Sequence, residues 1–225
     1  MLLTLSDVLD REELDETLKL IGGLGWRDGA ETAGGTARAV KHNQQADLTS
    51  RLGTQVQHKL KARVECHPVL RAAAQPRQFS KLIVSRTEAG GGYGHHVDNP
   101  FMPVGTSRLR TDFSFTLFLS EPDTYEGGEL EIELAGMTQS VKLPAGSLVL
   151  YPSTTLHRVA PVTSGTRLAC VGWIESAIPD VAVREILFDL ENLRSSLAGK
   201  LDLQSPEMLV LSKSISNLTR RFGQS

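Results

Sequence analysis

A chain of 225 residues, 40% of them hydrophobic, can bury a sizeable core, so one domain, or one domain with helical additions, is expected. The net charge of −2 carries no signature of nucleic-acid or membrane-surface binding, and neither is an expected partner. Two cysteines, Cys66 and Cys170, are too few for a disulfide framework; with no signal-like start in residues 1–7 and no apolar run near ~18 residues, a reducing cytoplasm is expected.

Asp10-Arg11-Glu12-Glu13 reads as a capping box, with Asp10 the cap and Glu13 reaching back. Leu14, Leu18 and Ile21 follow at helical spacing, and Gly22-Gly23 stops the helix. The next stretch, to about Ser50, is polar and contains glycine, with Trp26 as a core anchor. A second helix is predicted from Ser50 to about Cys66, because Leu52, Val56, Leu60 and Val64 form one apolar stripe. His67-Pro68 ends it. Beyond Pro76 the period changes, and residues 79–86 read as a strand.

Strands are then predicted at 113–119, 129–134, 139–143, 147–151, 157–162 and 167–174, with turns at Gly127-Gly128, Ala135-Gly136, Pro144-Ala145-Gly146 and Ser164-Gly165. About seven or eight short strands with regular turn signals argue a sandwich or a double-stranded β-helix. The tail returns to helices. Asp180 caps one carrying Val183, Ile186, Leu187, Leu190, Leu193 and Leu197; Ser205-Pro206-Glu207 starts another carrying Met208, Leu211, Ile215 and Leu218. Both are expected to pack on the barrel or on a partner subunit, which leaves a homodimer open.

The chemistry concentrates in Gly90-Gly91-Gly92-Tyr93-Gly94-His95-His96-Val97-Asp98-Asn99-Pro100. In an extended segment alternate side chains share a face, so His96 and Asp98 point one way and His95 and Val97 the other. An imidazole and a carboxylate aimed inward make two-thirds of a facial triad for a divalent metal. The best third ligand is His157. About ten residues later stands Arg167, heading an apolar run with Ala169, Val171 and Trp173 on its face, a setting that favours a buried anion clamp over a surface ion pair.

His-x-Asp, a distant histidine and a basic residue beyond it resembles the pattern of Fe(II)- and 2-oxoglutarate-dependent dioxygenases. Residues Tyr93 to Pro100, Gly127-Gly128-Glu129-Leu130 and Leu143-Pro144-Ala145-Gly146-Ser147-Leu148-Val149-Leu150-Tyr151-Pro152-Ser153 are similar to the bacterial PKHD-type hydroxylases, relatives of the prolyl and lysyl hydroxylases. Val40-Lys41-His42-Asn43-Gln44-Gln45 also resembles a segment of those proteins.

The resemblance implies an α+β, mainly β fold: a double-stranded β-helix (jelly-roll) core at 76–177, an N-terminal helical region at 1–75 and C-terminal helices at 178–225. It implies Fe(2+) on His96, Asp98 and His157, 2-oxoglutarate held by Arg167, O2 as oxidant and L-ascorbate as reductant. The implied reaction hydroxylates a C–H bond of a prolyl or other amino-acid side chain in a peptide or protein. The alternatives are an oxygenase acting on a free small molecule, and a non-enzymatic, cupin-like metal-binding module without need of Arg167.

Other candidates have plainer readings. His95 belongs at the pocket rim, and His42, His58 and His67 at the surface or in loops. Trp173 lines the co-substrate pocket or packs the core. Tyr93 meets the co-substrate or closes the bend. Arg86 and Thr87 stand where related hydroxylases often carry a tyrosine that contacts 2-oxoglutarate, and this chain lacks it there. Arg108 and Arg110 are expected as solvated charge in a loop, residues 121–126 as an exposed turn, and Cys170 as a small buried hydrophobe.

Overall fold

The computed structural model of the chain describes residues 1–32 and 35–224. Strand β1 (Leu3–Leu5) leads into helix α1 (Arg11–Gly22), where the Asp10–Glu13 capping box forms in both directions. Strands β2 (Trp26–Asp28), β3 (Lys41–His42) and β4 (Gln44–Ala46) follow. Helix α2 (Arg51–Cys66) is capped by Ser50, whose hydroxyl accepts from the Gly53 amide at 3.0 Å. The chain does break at His67-Pro68, but a third helix begins there: α3 (Pro68–Ala74) has Pro68 in its first turn and His67 as its cap. Proline lacks the amide that a first turn leaves unbonded anyway, so it starts a helix as readily as it stops one.

The expected strand at 79–86 is two strands, β5 (Pro76–Phe79) and β6 (Ile83–Glu88). Ser80 lies between them and exchanges hydrogen bonds with the Trp173 backbone: its amide donates to the carbonyl at 2.9 Å, and its hydroxyl accepts from the amide at 2.9 Å. Then come β7 (Gly92–His96), the hairpin β8 (Phe101–Val104) and β9 (Ser107–Arg110), β10 (Phe113–Phe118), β11 (Tyr125–Gly127), β12 (Leu130–Leu134), β13 (Met137–Val141), β14 (Leu148–Pro152), β15 (His157–Val159) and β16 (Val162–Ser176). Ser164-Gly165 is not the expected turn but lies inside the long β16. Here β11 pairs with it, Tyr125 opposite Gly165, and Gly165 sits at φ +75 with the Thr124 carbonyl 2.2 Å from where a Cβ would stand. Glycine permits both the conformation and the close approach. Helices α4 (Val181–Ala198) and α5 (Pro206–Phe222) close the chain, capped by Asp180 and Ser205.

Among the described residues the strands form a nine-stranded sheet with the path β1-β14-β10-β16-β6-β4-β2 and β5 and β11 each paired with β16, a five-stranded sheet β13-β12-β15-β7-β3, and the separate β8-β9 hairpin. The pairing is antiparallel and the core is a jelly roll. Side-chain alternation along the large sheet divides the interior in two. On β10, Phe113, Phe115 and Leu117 turn outward to meet Leu14, Ile21, Val56, Leu60 and Leu70 from α1 to α3. Ser114, Thr116 and Phe118 turn the other way, and Phe118 joins Leu130, Ile132, Val141, Val149 and Tyr151 between the sheets. The same parity on β16 gives Cys170 and Ile174 to the helical side and Arg167, Val171 and Trp173 to the cavity.

The tail helices share a smaller cluster of Ile178, Val183, Leu187 and Ile215. Ile186 and Leu193, expected on the buried stripe of α4, are about half exposed instead, because α3 and α5 pack on the side that carries Val183, Arg184 and Leu187. Arg110 is not the solvated charge expected of it. Its Nε and Nη2 donate to the two oxygens of Asp112 at 2.9 Å each, and Nη2 donates also to the Ser176 carbonyl. Asp112 accepts from the Ser176 amide as well, which ties the end of β16 to the start of β10.

Candidate active site

Two strands of the smaller sheet bring the key histidines together. In the β15–β7 ladder His157 stands directly opposite His96, and their ring centroids are 4.3 Å apart. Asp98 follows two residues past β7 on the same side. Its Oδ1 lies 4.0 Å from His96 Nε2, and its Oδ2 lies 3.7 Å from His157 Nε2. One donor atom from each of the three fits within 4.8 Å of the others, a spacing that can hold a metal ion. Two imidazoles and a carboxylate form the donor set suited to ferrous iron with positions left open.

The tautomers follow from the hydrogen bonds. His96 Nδ1 is 2.8 Å from the Gly94 carbonyl, and His157 Nδ1 is 3.0 Å from the Thr155 carbonyl. A carbonyl oxygen only accepts, so each Nδ1 carries a proton and each Nε2 presents a lone pair to the centre. Burial holds the His96 imidazole well below its ordinary pKa, and a charge on His157 would push it the same way. His96 is therefore neutral near pH 7, the form a metal needs. Aromatic rings fix both imidazoles: Tyr93 stacks on His96 at 3.6 Å, and Tyr151 meets His157 edge-on at 5.1 Å. Burial, and after it the Asp98 charge, raises the Tyr93 phenol to about 12, so the ring stays neutral. Behind Asp98, its Oδ2 accepts from the Ser114 hydroxyl at 2.5 Å, and Ser114 Oγ lies 2.7 Å from Ser153 Oγ.

These groups line a cavity of about 630 Å³ that also receives Arg167 and Trp173. Arg167 is 2% exposed. Its Nε donates to the Gly128 carbonyl at 2.8 Å, and its guanidinium lies 5.4 Å from the Phe118 ring centre. Gly128 has φ +68, and a Cβ there would come within 3.0 Å of the Arg167 side chain. The Gly127-Gly128 bend thus seats the arginine. Burial lowers the Arg167 pKa, yet its ordinary value is so high that the group keeps its charge. Its Nη2 is buried and makes no hydrogen bond among the described residues, although the Tyr125 hydroxyl is near enough to favour its charge, and Trp173 Nε1 is likewise unbonded. A buried guanidinium with an unmet donor calls for an anion. Thr87 stands opposite Arg167 in the β16–β6 register and lines the same cavity.

The remaining sequence candidates separate cleanly. His95 is exposed, 3.4 Å from Glu133, and His42 and His58 are exposed. Arg86 faces away from the cavity, over the Trp26 ring at 4.2 Å, with its Nε donating to Gln44 Oε1. Three contributors were missed. The segment containing Lys41 and Asn43 forms part of the cavity wall, and Lys41 lies 5.1 Å from the Tyr93 ring centre. Ser114 and Ser153 stand behind Asp98. The inward face of Ser114, though not its pairing with Ser153, had a signal: Ser114 and Thr116 alternate with Phe113, Phe115 and Leu117, a two-faced strand that hides hydroxyls from the apolar layer.

Known proteins with the same organisation agree. A family model of the 2OG-Fe(II) oxygenase superfamily matches residues 82–175. A PKHD-type hydroxylase of Hyphomonas neptunium is 53% identical over 99% of both chains, and one of Synechococcus elongatus is 46% identical over the whole of both. Among solved structures, a Trichoplax adhaerens prolyl hydroxylase in complex with a hypoxia inducible factor peptide fragment matches with a TM-score of 0.59 at 18% identity, over 78% of this chain and 83% of that one. A Pseudomonas putida prolyl-4-hydroxylase matches at 0.51 and 20% identity, over 78% and 92%. At such identities these two structures speak for the fold alone. The family is one of Fe(2+)- and 2-oxoglutarate-dependent oxygenases, which sets aside a non-enzymatic binding module, and the chain belongs to its PKHD-type hydroxylases.

Proposed function

We propose that the chain hydroxylates a C–H bond of a prolyl or other amino-acid side chain in a peptide or protein, with iron held by His96, Asp98 and His157 and 2-oxoglutarate anchored by Arg167. The observation that carries this reading is the pairing, within one cavity, of a two-histidine, one-carboxylate cluster with a buried guanidinium whose Nη2 makes no hydrogen bond among the described residues. Bound ferrous iron would supply the dioxygen activation that couples decarboxylation of 2-oxoglutarate to succinate with hydroxylation of the substrate. The protein's share is placement. The Nδ1–H bonds of His96 and His157 hold each Nε2 toward the centre, and Arg167 takes the far carboxylate of the co-substrate, with the Thr87 hydroxyl beside it. Leu130, Val159 and Val171 supply apolar wall that keeps water from the reacting centre.

The peptide class draws on the two structural neighbours, both prolyl hydroxylases by name and one solved with a peptide fragment. A cavity of about 630 Å³ also lies in the range of small-molecule sites, so a free amino acid is the second reading. Incubating the protein with Fe(II), 2-oxoglutarate and ascorbate tests both, using proline-containing peptides beside free amino acids. The proposal expects succinate and a product heavier by one oxygen atom from the peptides, and neither product from His96→Ala or Asp98→Ala. Product from the free amino acids alone would transfer the assignment to the second reading. L-Ascorbate as reductant and a cytoplasmic setting belong to the same proposal; the cysteines are unpaired, Cys66 exposed and Cys170 buried. No helix among the described residues is long and apolar enough to cross a membrane. A homodimer is supported by the exposed Ile186, Leu193, Leu209 and Val210 on α4 and α5, and light scattering would test it.

A further inference from the structure

Behind the candidate metal site lies a pair of hydroxyls that the family reading does not use. Ser114 is 2% exposed and Ser153 3%. They come from different elements, β10 and the residue just past β14, and both are fixed by backbone bonds. Ser114 sits mid-strand opposite Tyr151 and Trp173, and the Ser153 amide donates to the Asp112 carbonyl at 3.2 Å.

The direction of the chain of bonds can be worked out from the donors available. An ionised carboxylate only accepts, so the Ser114 hydroxyl must give its single proton to Asp98 Oδ2. Ser114 Oγ can then only accept from Ser153, which makes Ser153 the donor in the 2.7 Å contact. The two protons run one way, Ser153 to Ser114 to Asp98. A hydroxyl bond to a charged oxygen is of the stronger kind, and here it occupies one oxygen of the carboxylate. Oδ1 faces His96 Nε2 at 4.0 Å, and Oδ2 itself lies 3.7 Å from His157 Nε2.

We infer that Ser114, oriented by Ser153, is a positioning residue. Its hydroxyl holds Asp98 Oδ2 and so fixes the rotation of the carboxylate, whose two oxygens face His96 Nε2 and His157 Nε2. Asp98 follows β7 and precedes β8, lying in neither strand, and the carbonyls of Asn99 and Pro100 after it accept from Thr111. The relay ties the Asp98 side chain itself to β10 and to the residue past β14. This inference rests on His96, Asp98 and His157 being the metal ligands.

The test is anaerobic metal binding by the full chain, read by calorimetry with Fe(II) and by ligand-field absorption with Co(II), in wild type, His96→Ala, Ser114→Ala, Ser114→Thr and Ser153→Ala. Removing an outer partner of a ligand typically lowers metal affinity about 10- to 100-fold. Ser114→Ala is expected to show that loss together with an altered Co(II) spectrum, while the apo-protein remains folded. Ser114→Thr, which retains the hydroxyl, restores both affinity and spectrum. Ser153→Ala loses less than Ser114→Ala, since Asp98 keeps its own donor. Wild-type binding that is lost in His96→Ala but unchanged in Ser114→Ala would overturn the relay alone. Binding equal in wild type and His96→Ala would overturn the metal site and the relay with it. A larger loss in Ser153→Ala than in Ser114→Ala would overturn the direction assigned.

Discussion

Replacing Arg167 by methionine separates a co-substrate clamp from a structural cation. The guanidinium spends Nε on the Gly128 carbonyl and leaves Nη2 without a hydrogen bond among the described residues. A hydrogen bond to a charged group contributes about 1.5–3 kcal/mol, and about 1.4 kcal/mol is tenfold in affinity, so losing the Arg167–carboxylate contact should weaken 2-oxoglutarate binding about 10- to 100-fold. Folding should respond differently. Methionine gives up the Gly128 bond, worth about 1 kcal/mol, yet it also removes a buried cation that lacks a full set of partners. The two effects oppose each other, and apo stability should move by no more than about 1 kcal/mol either way. Anaerobic titration of 2-oxoglutarate into the Fe(II)-loaded protein measures the first quantity, and urea unfolding of the apo-protein measures the second. Unchanged 2-oxoglutarate affinity together with a stability loss of about 3 kcal/mol or more, the cost of breaking a buried ion pair, would show Arg167 to be structural and refute the reasoning.

Other perturbations test the frame around the site. Gly172→Ala would put a Cβ 2.6 Å from the Phe115 ring in the middle of β16, and overpacking of this kind should cost about 1–3 kcal/mol, read as a fall in urea midpoint at constant slope. Asp112→Ala would remove the paired acceptors of Arg110 and the acceptor of the Ser176 amide, and should cost about 1–3 kcal/mol in the same assay. Lys41 predicts a pH dependence. Burial lowers its ammonium from 10.5 to about 8 in the folded chain, against the pull of the Asp98 and Asp28 charges. Below about 8 the lysine is protonated in both states and the folded chain bears the full cost of the buried charge. Between about 8 and 10.5 the unfolded chain holds the proton that the folded chain has released, so the contribution of Lys41 to stability rises with pH. The difference between wild type and Lys41→Met, followed by urea unfolding from pH 7 to 10.5, should therefore shift in favour of wild type by about 2–3 kcal/mol; a flat difference would contradict the burial of the charge.

The parts of this protein that were legible in its sequence are those governed by local periodicity. Capping residues Asp10, Ser50, Asp180 and Ser205 start the four long helices, and apolar stripes follow each of them. Two-residue alternation places His96 and Asp98 on one face and leaves His95 exposed. What local pattern could not supply is pairing across distance. Strand β1 is only three residues long and is defined by its ladder with β14, and β2 and β4 sit in a polar segment with no alternation to read. Lys41 reaches the cavity because β3 pairs with β7, Lys41 opposite Tyr93. The same holds for Ser114 and Ser153, far apart in sequence and joined only where β10 and β14 run side by side. Gly165 misled because glycine marks close approach as readily as it marks a turn, and here the Thr124 carbonyl occupies the space.

The most direct test of the central claim is visible absorption of the anaerobic protein as Fe(II) and 2-oxoglutarate are added singly and together. The account predicts a charge-transfer band that needs both additions, is absent in His96→Ala and Asp98→Ala, and in Arg167→Met forms only at much higher 2-oxoglutarate. Bound iron without such a band, or a band that survives His96→Ala unchanged, would contradict the assignment of His96, Asp98 and His157 as the site where iron and co-substrate meet.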